Sequence, residues 1–201
     1  DIEAGAETQL RLMYTRHMKE LKLTGNYLKN KKKKSEFEQL AYKNIGSFFS
    51  EAEKAVQLLA ESQFQERLSY AKKTGELCHG SYNYHNIIFS NGNTAVTNFD
   101  KYKNECQISD LYQFMRKILE KYDWDIQTAY KMMEEYDKIK PVSDTERALL
   151  AALFAFPEKF WKVMNYYFNS NKAWIPPKTK EKLEKVVQQN EKRQKFLETL
   201  L

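Results

Sequence analysis

Apolar residues recur at helical spacing over most of this chain. Leu10, Met13, Tyr14, Met18 and Leu21 mark one face of a segment over 6–23, the three-and-four-residue spacing that stacks side chains on one side of an α-helix. Thr24-Gly25-Asn26 then interrupts the pattern with residues that favour turns. Ser35-Glu36-Phe37-Glu38 has the form of a capping box, in which each end satisfies an orphan backbone donor of the other. A long helix is predicted to follow, carrying Phe37, Leu40, Ala41, Ile45, Phe48, Phe49, Ala52, Val56 and Leu59 on its apolar face. A shorter helix over 62–73 should stop before Gly75.

The period then changes. Leu77-Cys78 and Ile87-Ile88-Phe89 are short strand candidates, Asn91-Gly92-Asn93 is a hairpin turn, and Thr94 to Phe99 is the returning strand. A lone two-stranded hairpin is not stable in water. It is expected to pack on the helices, which would hold its loops against a rigid body. After Asp100 the helical spacing returns over 107–121 (Leu111, Phe114, Met115, Ile118, Leu119) and over about 124–137. Ser143-Asp144-Thr145-Glu146 is a second capping box, opening a helix through Phe154. Pro157 suits the first turn of the next helix, with Phe160, Trp161, Met164 and Tyr167. A charged helix over 178–201 closes the chain.

The fold class read from this pattern is mainly α with a small β-hairpin. No internal repeat or low-complexity linker divides residues 1–201, so one domain is expected. The hydrophobic fraction of 42% excludes a disordered chain. Cys78 and Cys106 are too few for a disulfide framework and form no Cys-x-x-Cys pair, so buried thiols are expected and zinc is not. No apolar run reaches the roughly twenty residues that cross a bilayer. Asp1-Ile2-Glu3-Ala4-Gly5 lacks the basic and apolar regions of a signal peptide. It also lacks an initiator Met, and the chain is read as part of a longer protein. The net charge is +6, much of it in Lys29–Lys34 and in 178–195. These runs are not interleaved with aromatics, so they are read as solvated faces and nucleic acid is not the expected partner.

The chemistry concentrates at the hairpin. Asn86 stands just before its first strand, and Asn98 and Asp100 stand at the end of the second. These ends are neighbours in an antiparallel pair, so the three polar tips are expected to meet where a hard cation such as magnesium could take oxygen ligands. Of the histidines, His79 is read as a loop histidine bonded to backbone, His85 as a surface residue and His17 as partly exposed. Trp124, Trp161 and Trp174 are read as packing anchors.

His79-Gly80 with Asn86, then Asn98-Phe99-Asp100, resembles the catalytic centre of aminoglycoside phosphotransferase and choline kinase-like enzymes. Leu77 to Trp174 resembles more closely the CotS-type spore coat proteins, a bacterial group with that kinase-like fold. The phrases that carry the likeness include Leu77-Cys78-His79-Gly80, His85-Asn86-Ile87-Ile88-Phe89, the stretch from Asp110 to Lys117, Glu120-Lys121-Tyr122-Asp123-Trp124-Asp125, Pro157-Glu158-Lys159-Phe160-Trp161-Lys162 and Lys172-Ala173-Trp174. The resemblance implies that residues 1–201 are the helical C-terminal lobe, with the catalytic-loop and hairpin region at 77–100. The N-terminal nucleotide-binding lobe is then absent from this chain, which contains no G-x-G-x-x-G pattern. It implies a catalytic Asp at position 81, where Ser81 stands, and a metal-binding Asp at position 98, where Asn98 stands. Asn86 and Asp100 match the family's other cofactor and magnesium positions. Asp110 matches a residue that supports the catalytic loop. A serine hydroxyl cannot take a proton as a carboxylate does, and an asparagine offers a neutral oxygen where magnesium wants an anion. The function this implies is a spore coat protein, made in the mother-cell cytoplasm, with a degenerate pseudokinase site and a structural or ligand-binding role among other coat proteins. The alternative is an active phosphotransferase using ATP and magnesium on a small molecule.

Overall fold

The computed structural model describes residues 4–61, 63–170 and 176–201, with side chains from residue 9 onward. Trp174 lies outside them. Eight helices carry the described fold: α1 (Ala4–Asn30), α2 (Glu36–Glu61), α3 (Phe64–Thr74), α4 (Ile108–Lys121), α5 (Ile126–Ile139), α6 (Asp144–Ala155), α7 (Glu158–Phe168) and α8 (Lys178–Glu198). Between α3 and α4 lie four short strands, β1 (Leu77–Cys78), β2 (Ile87–Ser90), β3 (Asn93–Val96) and β4 (Lys103–Asn104). β2 and β3 form the antiparallel hairpin, with Ile87 opposite Val96. Its turn residues Asn91 and Gly92 both have positive φ, +48° and +78°, the type I′ pattern that suits the right-handed strand twist.

Both capping boxes form. Ser35 Oγ accepts from the Glu38 amide at 3.3 Å while Glu38 accepts from the Ser35 amide at 2.8 Å. Ser143 and Glu146 repeat the exchange at the start of α6. α2 is the central helix, packed against α1, α6 and α8. Its apolar face buries Phe37, Ala41, Ile45, Phe48, Ala52, Ala55 and Leu59. Rings make much of the core: Phe48 stacks on Phe160 at 3.9 Å and Tyr14 on Phe156 at 4.0 Å. Trp124 is buried among Phe154 and Phe196. The basic segment after α1 is tied down locally, Lys31 to Glu38 at 2.5 Å and Lys34 to the Lys31 carbonyl at 2.6 Å.

Four details depart from the sequence reading. α1 does not stop at Thr24-Gly25-Asn26 but runs on to Asn30. Thr24 turns its hydroxyl back to the Glu20 carbonyl at 2.9 Å, and Gly25 lies where a Cβ would meet Ile45 of α2 in ordinary contact at 3.7 Å. Packing against α2 outweighs the weak helix propensity of glycine. The returning strand ends at Val96, because Asn98 adopts φ +64° and Phe99–Lys101 winds into a single 3₁₀ turn. β1 pairs with β4, a two-residue partner with no sequence signature of its own. His17 is buried, 5% exposed, and stacks on Trp161 at 3.5 Å, because the face of α1 that carries it is covered by α7.

The hairpin itself stands out from the body. Ile88 and Phe89 are exposed, and its base, where Asn86 is buried, rests on α4.

Candidate functional site

Asp110, in the first turn of α4, anchors the loop that precedes the hairpin. Its two carboxylate oxygens accept the amides of His79 and Gly80 at 2.5 and 3.0 Å. Gly80 has φ +73°, a left-handed conformation that costs glycine little. The chain therefore reverses sharply there. The Ser81 amide donates to His79 Nδ1 at 3.1 Å. Since Nδ1 accepts, His79 carries its proton on Nε2, which donates to the Thr97 carbonyl at 2.8 Å. One ring nitrogen thus closes the 79–81 turn and the other ties it to Thr97, just past β3. Phe99 covers the ring at 4.5 Å between centroids.

The next turn is closed by amides. Asn83 caps the single 3₁₀ turn Tyr84–Asn86, accepting from the His85 amide at 3.0 Å and donating to the Ser81 carbonyl at 2.8 Å. Asn86 donates to the same carbonyl at 2.8 Å. This fixes the orientation of the Asn86 side chain, leaving Oδ1 directed at the second strand. The Thr97 amide bonds to the Asn86 carbonyl at 3.0 Å, so Asn98 arrives beside Asn86. The Asn98 side-chain amide donates to Asn86 Oδ1 at 2.8 Å. Exchanging the oxygen and nitrogen of Asn98 would set two acceptors against each other, so the direction of this bond follows from the network.

The sequence-derived set is therefore brought together in part. Asn86 and Asn98 touch, and Ser81 joins them through its carbonyl. The Ser81 hydroxyl forms no hydrogen bond among the described residues. Asp100 follows on the 3₁₀ turn, exposed, with no hydrogen bond or ion pair among the described residues. His85 is exposed and lies against Tyr84 at 4.1 Å. The sequence reading missed Asn83, Thr97 and Phe99, which shape the loop. Thr97 acts through its carbonyl, which no side-chain pattern could reveal. The Asn83-x-His85 spacing is a recognisable Asx-turn signal.

As arranged, these residues do not fit magnesium. A cation approaching Asn86 Oδ1 would meet an N–H donor from Asn98 in place of a carboxylate, and no cluster of three His, Cys, Asp or Glu side chains suited to a metal occurs among the described residues. What the arrangement does chemically is lock the 79–86 backbone in place, with a neutral hydroxyl at position 81 and a neutral amide at position 98.

Helices packed around a catalytic-type loop, a hairpin and a carboxylate-anchored turn define the helical part of a kinase-like phosphotransferase fold. The structure of an aminoglycoside phosphotransferase from Alicyclobacillus acidocaldarius subsp. acidocaldarius DSM 446 superposes with a TM-score of 0.87 at 20% identity, covering 95% of this chain and 57% of that one. Spore coat protein S of Bacillus subtilis (strain 168) is 20% identical over 166 residues, 82% of this chain and 47% of that protein. Residues 8–200 match the family described as "Spore coat putative kinase YutH", and the chain belongs to that family. It spans about half the length of that relative.

Proposed function

We propose that this chain is the helical lobe of a spore coat protein in which the kinase architecture serves as a structural or ligand-binding part and phosphoryl transfer is reduced or lost. The observation that carries this reading is the 2.8 Å bond from Asn98 to Asn86 Oδ1. It fills with a neutral donor the position from which a carboxylate would help hold magnesium, and phosphoryl transfer depends on that charge. Ser81 removes the group that would orient or deprotonate an acceptor. The elements that cover nucleotide would have to come from outside these residues. Incorporation into the coat beside other coat proteins, after synthesis in the mother cell, follows from family membership as part of the same proposal.

A second reading, an ATP- and magnesium-dependent small-molecule kinase, is favoured by Asp100, an exposed carboxylate without a partner among the described residues. Titration of the complete protein with ATP and magnesium, beside a Ser81→Asp/Asn98→Asp double variant, separates the two. The degenerate reading expects no turnover by the wild type and measurable hydrolysis by the variant. Wild-type turnover lost in Asp100→Ala would establish the kinase instead.

A further inference from the structure

We propose that the outward face of α1 is a docking surface for an anionic lipid bilayer, on which the helix lies without crossing it. This does not rest on the preceding reading, since α1 (Ala4–Asn30) carries none of the residues of the 79–100 loops.

Residues 9–34 hold nine lysines and arginines but one acid, Glu20, a net +8 where the whole chain carries +6. The rest of the protein is thus slightly acidic, and the cationic excess is concentrated here. Glu20 does not neutralise the outward face. It turns toward α7, where it accepts Trp161 Nε1 at 2.7 Å, and its other oxygen lies 3.7 Å from Arg16. Lys31 and Lys34 are engaged locally. Arg11, Lys19, Lys22 and Lys29 are exposed and form no ion pair among the described residues, and the same holds for Lys32 and Lys33 just past the end of the helix. Six unpaired cations on one continuous stretch attract an anionic surface, and each that comes near it adds to the binding.

The apolar residues among these charges set the class of partner. α1 buries Tyr14, His17, Leu21 and Leu28 against the body of the protein. Leu12 and Leu23 stand on the opposite side, about three turns apart on one line, 60% and 68% exposed, where a surface helix ordinarily carries polar groups. Tyr27 follows one turn on, 52% exposed. Arg16 is one turn after Leu12 and Lys19 one turn before Leu23, so each leucine has a cation on the adjoining turn. A bilayer interface matches both parts, because its phosphates lie over acyl chains that take up aliphatic side chains. Arg11 and Lys29 are about 27 Å apart along the helix, and the crest of a helix is convex, so a flat anionic sheet reaches both ends together. A nucleic acid would take the cations and leave the leucines in water. No helix of the described residues is long and apolar enough to cross a membrane, so the attachment is peripheral and weakened by salt.

Co-sedimentation of the complete protein with vesicles of equal parts phosphatidylglycerol and phosphatidylcholine, beside vesicles of phosphatidylcholine alone, tests the assignment. The mixed vesicles should carry the protein down, the neutral ones should not, and added salt should release it. Lys22→Gln and Lys29→Gln should each lower the affinity about fivefold. Leu12→Ser/Leu23→Ser should lower it severalfold and leave the salt dependence in place. All four positions are exposed, so each variant should melt with the wild type. The proposal is overturned if the mixed vesicles do not bind the protein, if the neutral ones bind it equally well, or if the folded variants bind unchanged. Binding to poly-L-glutamate or duplex DNA that is tighter than to vesicles and indifferent to the two leucine changes would also overturn it, and would assign the face to an acidic polypeptide or a nucleic acid.

Discussion

Gly80 is pressed against Lys101 so closely that no side chain fits between them. A Cβ there would penetrate the Lys101 carbonyl oxygen and lie 2.9 Å from the carbonyl carbon. The φ of +73° at Gly80 adds a second objection to any other residue. Gly80→Ala should therefore cost about 1–3 kcal/mol and displace the 79–81 turn from the 99–101 turn. Urea denaturation gives the first quantity. Loss of the slowly exchanging Nε2 proton of His79 in NMR spectra would report the second, and an unchanged spectrum would contradict it.

Asp110 supports the same loop from below. Its carboxylate accepts two backbone amides at 2.5 and 3.0 Å. Asp110→Ala leaves both donors half-buried and unpaired, a loss of about 2–4 kcal/mol in chemical denaturation from bonds to a charged group. Hydrogen exchange at the His79 and Gly80 amides should accelerate before global unfolding does.

Asn98→Asp tests the amide closure of the hairpin base. It replaces a donor with an acceptor against Asn86 Oδ1, so the variant should melt below the wild type in metal-free buffer. Added magnesium should recover part of that loss, because a cation can bridge two oxygens that repel without it. The wild type is expected to show no such shift. Equal magnesium responses from the two proteins would count against this account of the Asn86–Asn98 pair.

Arg67 joins α3 to α6 and to the segment entering β1. It bonds Glu146 and Glu76 at 2.7 Å each, and Glu76 also accepts the Gln107 amide at the start of α4 at 2.8 Å. Burial pushes the Glu146 carboxyl upward, but Arg67 and the Ser143 backbone reverse this and leave it below the usual carboxylate range. Glu146→Gln removes one of the two carboxylate partners of a largely buried cation, which keeps Glu76, while glutamine can still close the capping box, a loss of about 1.5–3 kcal/mol by equilibrium unfolding. The folded-state value is depressed, so this stabilisation is present above the unfolded carboxylate value and is lost as pH falls through the folded one.

His17 gives a separate, milder acid response. Burial holds its imidazole below the ordinary histidine value, with Glu20 only partly opposing the shift. Above about pH 6.5 both folded and unfolded forms are neutral there. Below that the unfolded chain takes up the proton first, so stability falls until the folded-state value is passed. His17→Phe keeps the stack on Trp161 and should flatten the melting temperature between about pH 6.5 and pH 5. An equal slope in both proteins would place the proton uptake elsewhere.

Local order was legible in the sequence where neighbours along the chain determine it. The two serine–glutamate boxes, the Asn91-Gly92 turn, the glycine stop after α3 and the apolar face of α2 all follow from groups within a few residues of one another. The pairing of residues 86 and 98 followed as well, since a hairpin register brings strand ends together. What needed the folded chain was everything set by distant contact. Gly25 stays helical because α2 packs beside it, and His17 is buried because α7 covers it. Asn98 turns left-handed and passes its amide to Asn86, while Asp100 points away to solvent. A cavity beside Arg116 exists only where five helices and β4 meet without closing completely. Propensities and spacing act through the backbone of one segment, whereas burial, ring stacking and the direction of a side-chain hydrogen bond depend on which segments meet.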